Sequence, residues 1–208
     1  MKLLHSATSP FVRKCLVVAH ELGLTERLEL IPGAPNPVKP DANIVTHNPL
    51  GQVPTLVTDE GMSLYDSPVI CEYLAAMGGD APGRVGVLPR GGNERWRILT
   101  EQSLADGMAA AAVLARYETA LRPENLRWQD WTAGQIGKVR AGLAEIELAA
   151  PGFAARVDLG TIAVACALGY LDYRYAALGW RDGCPRAAAW FETFEARPSM
   201  RATRPPPA

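Results

Sequence analysis

Three short segments of this 208-residue chain carry side chains suited to binding chemistry. In Thr8-Ser9-Pro10-Phe11-Val12-Arg13, Ser9 is a favoured helix cap, and Pro10 has the fixed φ that suits a first helical position. Capping alone accounts for the pair. The same features support a second chemistry: a helix N-terminus presents unpaired N–H groups and the positive end of a dipole, where an anion such as a thiolate can rest. A serine hydroxyl there can donate to that anion. In Asn48-Pro49-Leu50-Gly51-Gln52-Val53-Pro54-Thr55-Leu56, Pro54 reads either as an ordinary trans proline at a strand start or as a cis one, since cis costs X-Pro only about 0.5–1 kcal/mol. A cis bond would turn the Val53 backbone outward, to pair with a bound peptide as an added strand. In Tyr65-Asp66-Ser67-Pro68-Val69-Ile70, capping again explains Asp66 and Ser67. The other reading is a grip on an amino-acid head group, with the carboxylate for its ammonium and the hydroxyl and helix dipole for its carboxylate.

The remaining reactive residues form no recognisable constellation. Cys15, Cys71, Cys166 and Cys184 contain no CxxC and have no histidine at ligand spacing, so zinc is not expected and no metal ligand is assigned. His5, His20 and His47 fit no Ser-His-Asp or Cys-His pattern and are expected on the surface or in loops. Cys15, two turns beyond Ser9, reads as a buried, inert thiol. Arg13 opposes the helix dipole, and a solvated position or a structural ion pair is expected for it, a contact with Asp66 or a ligand being the alternative.

Composition narrows the classes further. Hydrophobic residues at 48% and charged residues at 21% are those of a globular chain and exclude a disordered one. Lys and Arg number 21 against 22 Asp and Glu, and the basic residues are scattered, so neither nucleic acid nor an anionic membrane is expected as partner. The longest apolar run, Ile162 to Leu171, is far short of the roughly 20 residues that span a bilayer. With no apolar signal-like run after Met1, a reduced, cytoplasmic protein is expected.

The elements that would position these segments follow from periodicity. Lys2–His5 reads as a strand, the apolar spacing from Phe11 to Leu22 as a helix capped by Gly23, and Arg27–Ile31 as a second strand. Four prolines between Pro32 and Pro40 make the stretch to Pro49 mostly loop, with any helix short. Pro54–Thr58 and Met62–Tyr65 flank Asp59-Glu60-Gly61 as a hairpin, and a helix is expected over Ser67–Met77. That order predicts a small α/β sandwich with a mixed sheet over 1–77, a Gly- and Pro-rich linker over 78–92, and an all-helical domain over 93–208. Its helices are expected at Asn93–Leu121, Trp128–Ala150, Leu159–Leu178 and Pro185–Glu195, and the Arg- and Pro-rich tail from Arg197 is expected to fray. Asp158 is a clear helix cap, with Val157 and Ile162 as a hydrophobic staple, but Thr161 stands where Glu or Gln would complete a capping box, so the box reads as incomplete.

Taken in order, TSPFVR, NPLGQVPTL, YDSPVICEYL and DLGTIAVACALGYLDYR resemble the glutathione transferase superfamily over nearly the whole chain, from Met1 to about Pro198. The SPF motif looks like that of the serine-type, tau-class enzymes, and the whole is most similar to small bacterial members. The resemblance implies an α/β plus all-α fold, a thioredoxin-like domain followed by a helical bundle, assembled as a homodimer. It implies glutathione as co-substrate, no further cofactor, and a small hydrophobic electrophile as second substrate, the chemistry of detoxification. By the same resemblance Ser9 faces the glutathione sulfur as the catalytic residue, with Phe11 and Gln52 in the binding site. Val53 would pair the cysteinyl backbone before cis Pro54, and Asp66 and Ser67 would hold the γ-glutamyl end. Relatives often carry Asp at the position of Thr161, so Asp158 is expected to cap without that help. Relatives of the omega and beta classes carry Cys at the position of Ser9.

A serine there excludes the mixed disulfide on which glutaredoxin-like exchange depends, because its hydroxyl is neither redox-active nor acidic enough. It can activate the ligand's thiol instead. A charge-assisted hydrogen bond and the helix dipole together favour thiolate by about 1.5 to 3 pKa units, which takes a thiol of pKa about 8.5 from about 3% to mostly ionised at pH 7. The thiolate could attack an electrophilic carbon or, as a side activity, a peroxide. A module of the same fold that binds glutathione or a protein without turnover is the alternative, as is an isomerase- or dehalogenase-type relative. The next helix, with Trp96, Leu99, Met108, Ala109 to Ala112 and Tyr117, could line a second pocket, although ordinary packing is the simpler reading for most of them.

Overall fold

The computed structural model describes residues 1–78 and 86–207, and the chain divides into two compact units, Met1–Trp96 with Arg197–Ala208, and Arg97–Ala196. Residues 79–85 of the predicted linker lie outside the described residues.

The first unit is built on a four-stranded mixed sheet of β1 (Lys2–His5), β2 (Glu29–Pro32), β3 (Thr55–Val57) and β4 (Ser63–Leu64), in the order β2-β1-β3-β4. β2 is parallel to β1, as a crossover through α1 (Pro10–Glu21) allows, and β3 and β4 are antiparallel neighbours. The predicted hairpin forms with Gly61 at φ +85°, a conformation glycine adopts without a Cβ penalty. Helix α1 ends as expected: Gly23, at φ +63°, donates to the His20 carbonyl, and Leu24 donates to that of Ala19, the paired bonds of a Schellman cap. The loop after β2 contains one short helix, α2 (Ala42–His47), capped by Asp41, and α3 (Ser67–Gly78) follows the hairpin. Leu3 and Leu56 pair across β1 and β3 and are fully buried, while Leu4 packs with Val12, Ile44 and Val53.

The tail does not fray at its start. Arg197 opens a short helix, α9 (Pro198–Ala202), that packs on α1, with Met200 fully buried. Arg197 and Ser199 both donate to the Glu21 carboxylate, and Arg13 donates to the Met200 carbonyl at 3.0 Å. The segment from Arg197 therefore belongs with the first unit and not with the helical domain predicted over 93–208.

The second unit is all helical. It takes most of α4 (Gly92–Ala120), followed by α5 (Gln129–Ala149), α6 (Leu159–Arg174), α7 (Trp180–Gly183) and α8 (Pro185–Glu195). Every residue of α6 from Leu159 to Leu171 is buried, as expected of a helix apolar on all sides. Its capping box is complete, contrary to expectation. Asp158 Oδ1 accepts from the Thr161 N–H, and Thr161 Oγ1 accepts from the Asp158 N–H, both at 3.0 Å. A threonine hydroxyl thus closes the loop that Glu or Gln more often closes. Helix α6 stops at Arg174, four residues before the predicted end, where Tyr175 leaves helical geometry at φ −131° and its hydroxyl donates to the Ala112 carbonyl.

Candidate functional site

The sheet register brings the three predicted segments to one end of the first unit. β1 runs toward His5, and Leu4 pairs with Thr55, so the chain entering β3 through Val53 and Pro54 lies beside the chain leaving β1 toward Ser9. Leu56 pairs with Leu64, so Tyr65 and Asp66 leave β4 at that same end. Two contacts tie the segments together below it: Val12 packs with Val53, and the Cys15 thiol, on α1, lies 3.9 Å from the Ser67 carbonyl at the start of α3.

Ser9 is half-buried and caps α1, its hydroxyl accepting from the Val12 N–H at 3.3 Å. A hydroxyl that accepts one bond keeps its proton to donate, so capping and anion binding are compatible here. Phe11, half-buried, follows in the first turn. Arg13 is not solvated and, among the described residues, not ion-paired: its side chain is 5% exposed and points to the carbonyl end of α9, where a cation is favourable. It does not meet Asp66. Cys15 is fully buried, as expected, with its sulfur 3.8 Å from that of Cys71, and none of the four cysteines is in a disulfide.

The middle segment is held by a residue whose role the sequence did not reveal. Asn48 is 2% exposed; its amide donates to the Gln52 carbonyl and to Thr55 Oγ1, both at 3.1 Å, while its Oδ1 accepts from the Leu50 N–H at 3.0 Å. Gln52 itself is exposed, its backbone carbonyl taken up by these bonds. Val53–Pro54 is a cis peptide, and among the described residues the Val53 backbone makes no hydrogen bond.

Asp66 and Ser67 stand at the N-terminus of α3. Asp66 is exposed and Ser67 is 2% exposed. Plain capping would occupy their side chains, yet among the described residues neither the Asp66 carboxylate nor the Ser67 hydroxyl has a hydrogen-bond partner. His5 belongs to this neighbourhood too, although it was expected on the surface. It ends β1 half-buried, with Nδ1 buried and unpartnered, and burial pushes its pKa below the ordinary histidine value, so the imidazole is neutral at pH 7.

The other candidates lie elsewhere. His20 is exposed near the end of α1, and His47 ends α2 beside a depression lined by Lys2, Leu4, Asn43 and Thr58, which contains none of the predicted site residues. Among the described residues no group of three or more His, Cys, Asp or Glu is arranged to hold a metal, and no helix is long and apolar enough to cross a membrane. On α4, Met108, Ala109, Ala111 and Ala112 are buried, as simple packing predicts, whereas Trp96 is exposed.

A β2-β1-β3-β4 sheet with helix starts converging at one end, followed in the chain by an all-helical unit, defines the fold of the glutathione transferases: a thioredoxin-like unit and a helical one. The chain belongs to the glutathione S-transferase family. Residues 8–77 match the N-terminal domain of glutathione S-transferase and residues 129–193 its C-terminal domain. It is 38% identical over 215 positions, covering all of both chains, to an uncharacterized GST-like protein, YibF, of Escherichia coli. A glutathione transferase family member of Pseudomonas fluorescens Pf-5, solved with bound glutathione, superposes with TM-score 0.94 at 46% identity, over 99% of this chain and 98% of that one. A structure with S-(propanoic acid)-glutathione bound, also of a family member from that organism, superposes at 0.89 with 44% identity, over 99% and 100%. A glutathione S-transferase of Methylobacillus flagellatus with glutathione bound gives 0.85 at 34% identity, over 99% of both.

Proposed function

We propose that the protein is a serine-type glutathione transferase that binds glutathione across the sheet end, activates its thiol as thiolate and directs it to a small electrophile. In this reading the Asp66 carboxylate takes the γ-glutamyl ammonium, and the Ser67 hydroxyl with the first turn of α3 takes the γ-glutamyl carboxylate. Val53 pairs the cysteinyl amide and carbonyl as an added strand, beside Pro54 and Gln52. Ser9 donates its hydroxyl proton to the sulfur, with Phe11 alongside. The observation that carries the reading is that, among the described residues, the Asp66 carboxylate and the Ser67 hydroxyl have no hydrogen-bond partner at a helix start, where capping would ordinarily consume them. Relatives solved with glutathione and with a glutathione thioether support it.

With the thiolate held, a C–S bond forms at the electrophilic carbon as its leaving group departs; with a hydroperoxide the sulfur takes the outer OH group and is oxidised to a sulfenic acid, the O–O bond breaks, and the departing alkoxide takes a proton from water to leave as alcohol. Ser9 remains protonated throughout and acts on the charge of the sulfur. The protein works as a cytoplasmic homodimer in this reading, and light scattering that returned a monomer mass would refute that part.

Ultraviolet titration of bound glutathione tests the central step. The thiol in wild type is expected to ionise about 1.5 pKa units or more below free glutathione, and Ser9→Ala to lose most of that shift. An unchanged thiol pKa in the variant removes Ser9 from the mechanism. A panel of electrophiles that includes an aryl halide tests turnover, and rates no higher than those of Ser9→Ala would leave a binding module.

A further inference from the structure

The first unit keeps two sulfurs in contact that the glutathione chemistry does not use. Helices α1 and α3 pack on one another, and where they meet the Cys15 and Cys71 sulfurs lie 3.8 Å apart, both fully buried. The Cys15 thiol also lies 3.9 Å from the Ser67 carbonyl. Ser67 opens α3, and Cys71 follows it by about one helical turn. The pair therefore sits beneath the end of α3 that the proposed glutathione site uses. A single buried thiol is inert, because its thiolate is disfavoured and oxidants do not reach it. Two in contact differ once either is oxidised: a sulfenic acid at one has the other thiol in place to condense with it, so the product is a disulfide and not a higher oxide. Bonding brings the sulfurs to about 2.05 Å, roughly 1.8 Å closer than they stand, a step within reach of side-chain rotation.

The start of α3 supplies the opening that oxidation needs. Helix ends fray, and this one is entered through exposed Tyr65 and Asp66, carries exposed Val69 in its first turn, and has no side-chain cap among the described residues. Local release of that turn would draw the Ser67 carbonyl away from Cys15 and admit a small oxidant to the pair. A γ-glutamyl carboxylate on the N–H groups of the same turn would hold it closed, as a cap does.

We propose that Cys15 and Cys71 form an oxidation site, converted by a hydroperoxide to a disulfide that joins α1 to α3, and that glutathione held at the start of α3 slows the conversion; the second part rests on the proposed glutathione site. One sulfur attacks a peroxide oxygen: an S–O bond forms, the O–O bond breaks, and the alkoxide leaves with the thiol proton as alcohol, or as water from hydrogen peroxide. The second sulfur then displaces that oxygen: an S–S bond forms, the S–O bond breaks, and the departing hydroxide takes the second thiol proton as water. The thiols lose the electron pair that the peroxide gains.

Hydrogen peroxide applied to the native full chain without glutathione is expected to give a chain lighter by a pair of hydrogens. Peptide mapping should join Cys15 to Cys71, with Cys166 and Cys184 still thiols. Cys15→Ala and Cys71→Ala should each lose that product. Circular dichroism melting establishes that each variant is folded; if Cys15→Ala is not, Cys71→Ala carries the test. A native chain that keeps all its titratable thiols, a disulfide mapped to another pair, or the same product from Cys71→Ala would each overturn the assignment. Saturating S-methylglutathione, a thioether unable to reduce the disulfide, should slow the oxidation about tenfold or more, since it binds only the closed turn. An unchanged rate with the thioether shown bound by calorimetry would overturn the protection by ligand. A thioether that fails to bind refutes the glutathione site instead, and the disulfide is then decided by the reaction run without ligand.

Discussion

Val12 donates its backbone N–H to the Ser9 hydroxyl at 3.3 Å, so the side chain proposed to face a ligand's sulfur also holds the first turn of its own helix. Stability and chemistry are coupled at this residue, and substitutions can separate them. Ser9→Ala removes both functions and should cost about 1 kcal/mol of stability. Ser9→Asp restores the cap, with a negative charge that suits the dipole, but offers the sulfur a repelling carboxylate. Its melting temperature is expected to recover while the thiol pKa of bound glutathione rises above that in Ser9→Ala. If thiol pKa instead follows melting temperature across the three proteins, the effect of Ser9 is only structural.

Asn48 governs the neighbouring segment through three bonds made inside the fold. Asn48→Asp preserves the acceptor for Leu50 but sets a carboxylate oxygen against the Gln52 carbonyl, where the amide now donates. It should destabilise by about 2–3 kcal/mol, more than a surface change of the same chemistry, because the second oxygen of a buried carboxylate faces a carbonyl oxygen in place of a donor. Glutathione affinity should fall with it, by roughly tenfold, as the Val53 backbone loses its support. Equal urea midpoints for Asn48→Asp and wild type would show that the brace does not act.

Much of this architecture is legible in the chain because local rules decide it. The strand Lys2–His5, the cap at Gly23, the hairpin around Gly61 and the helix from Ser67 each follow from periodicity or from turn residues adjacent in sequence. What stayed hidden depends on partners far along the chain. Arg197 is 176 residues from Glu21, so nothing near the tail signals that its start docks on α1. Arg13 read as a surface or ion-paired cation for the same reason, its partner carbonyl being 187 residues away. Thr161 departs from expectation on chemistry, since its hydroxyl accepts from the cap N–H at 3.0 Å as a Glu or Gln side chain would. Nothing adjacent in sequence gives Asn48 a role, and only its burial marks it as a brace.

Gly160, second in α6, is required by a close approach. A Cβ there would lie 3.1 Å from the Ile98 carbonyl oxygen and press on the Glu101 carboxylate. Glu101 is not free to swing away, because Arg156 donates to both of its oxygens and to Asp158, the cap of the same helix. Gly160→Ala would ordinarily favour a helix by up to about 1 kcal/mol; here overpacking should prevail and destabilise by about 1–3 kcal/mol. In the double variant with Glu101→Ala, the added cost of the alanine should shrink. Chemical denaturation of the four proteins checks it, and a stabilised Gly160→Ala would show that α4 and α6 can separate freely.

Acid should release the C-terminal segment. Burial pushes the Glu21 carboxyl up, but hydrogen bonds from Arg197 and Ser199 and the charge of Arg197 outweigh it and hold its pKa below the ordinary 4.5. The unfolded chain therefore takes up this proton more readily than the folded one. The contribution of Glu21 is complete above pH 4.5 and is lost as pH falls through the lower, folded value. Glu21→Gln should be less stable than wild type by about 1–2 kcal/mol at pH 7, allowing for solvent around the partly exposed Arg197. That difference should close as pH is taken below 4.5. Hydrogen exchange should show the amides of α9 losing protection first in the variant, because the charge-assisted bonds to Glu21 are weakened and the Arg13 bond to the Met200 carbonyl carries more of the attachment. A stability gap that stayed constant through the acid range would mean that the Glu21 charge contributes nothing, and that apolar contacts such as that of Met200 hold the segment by themselves.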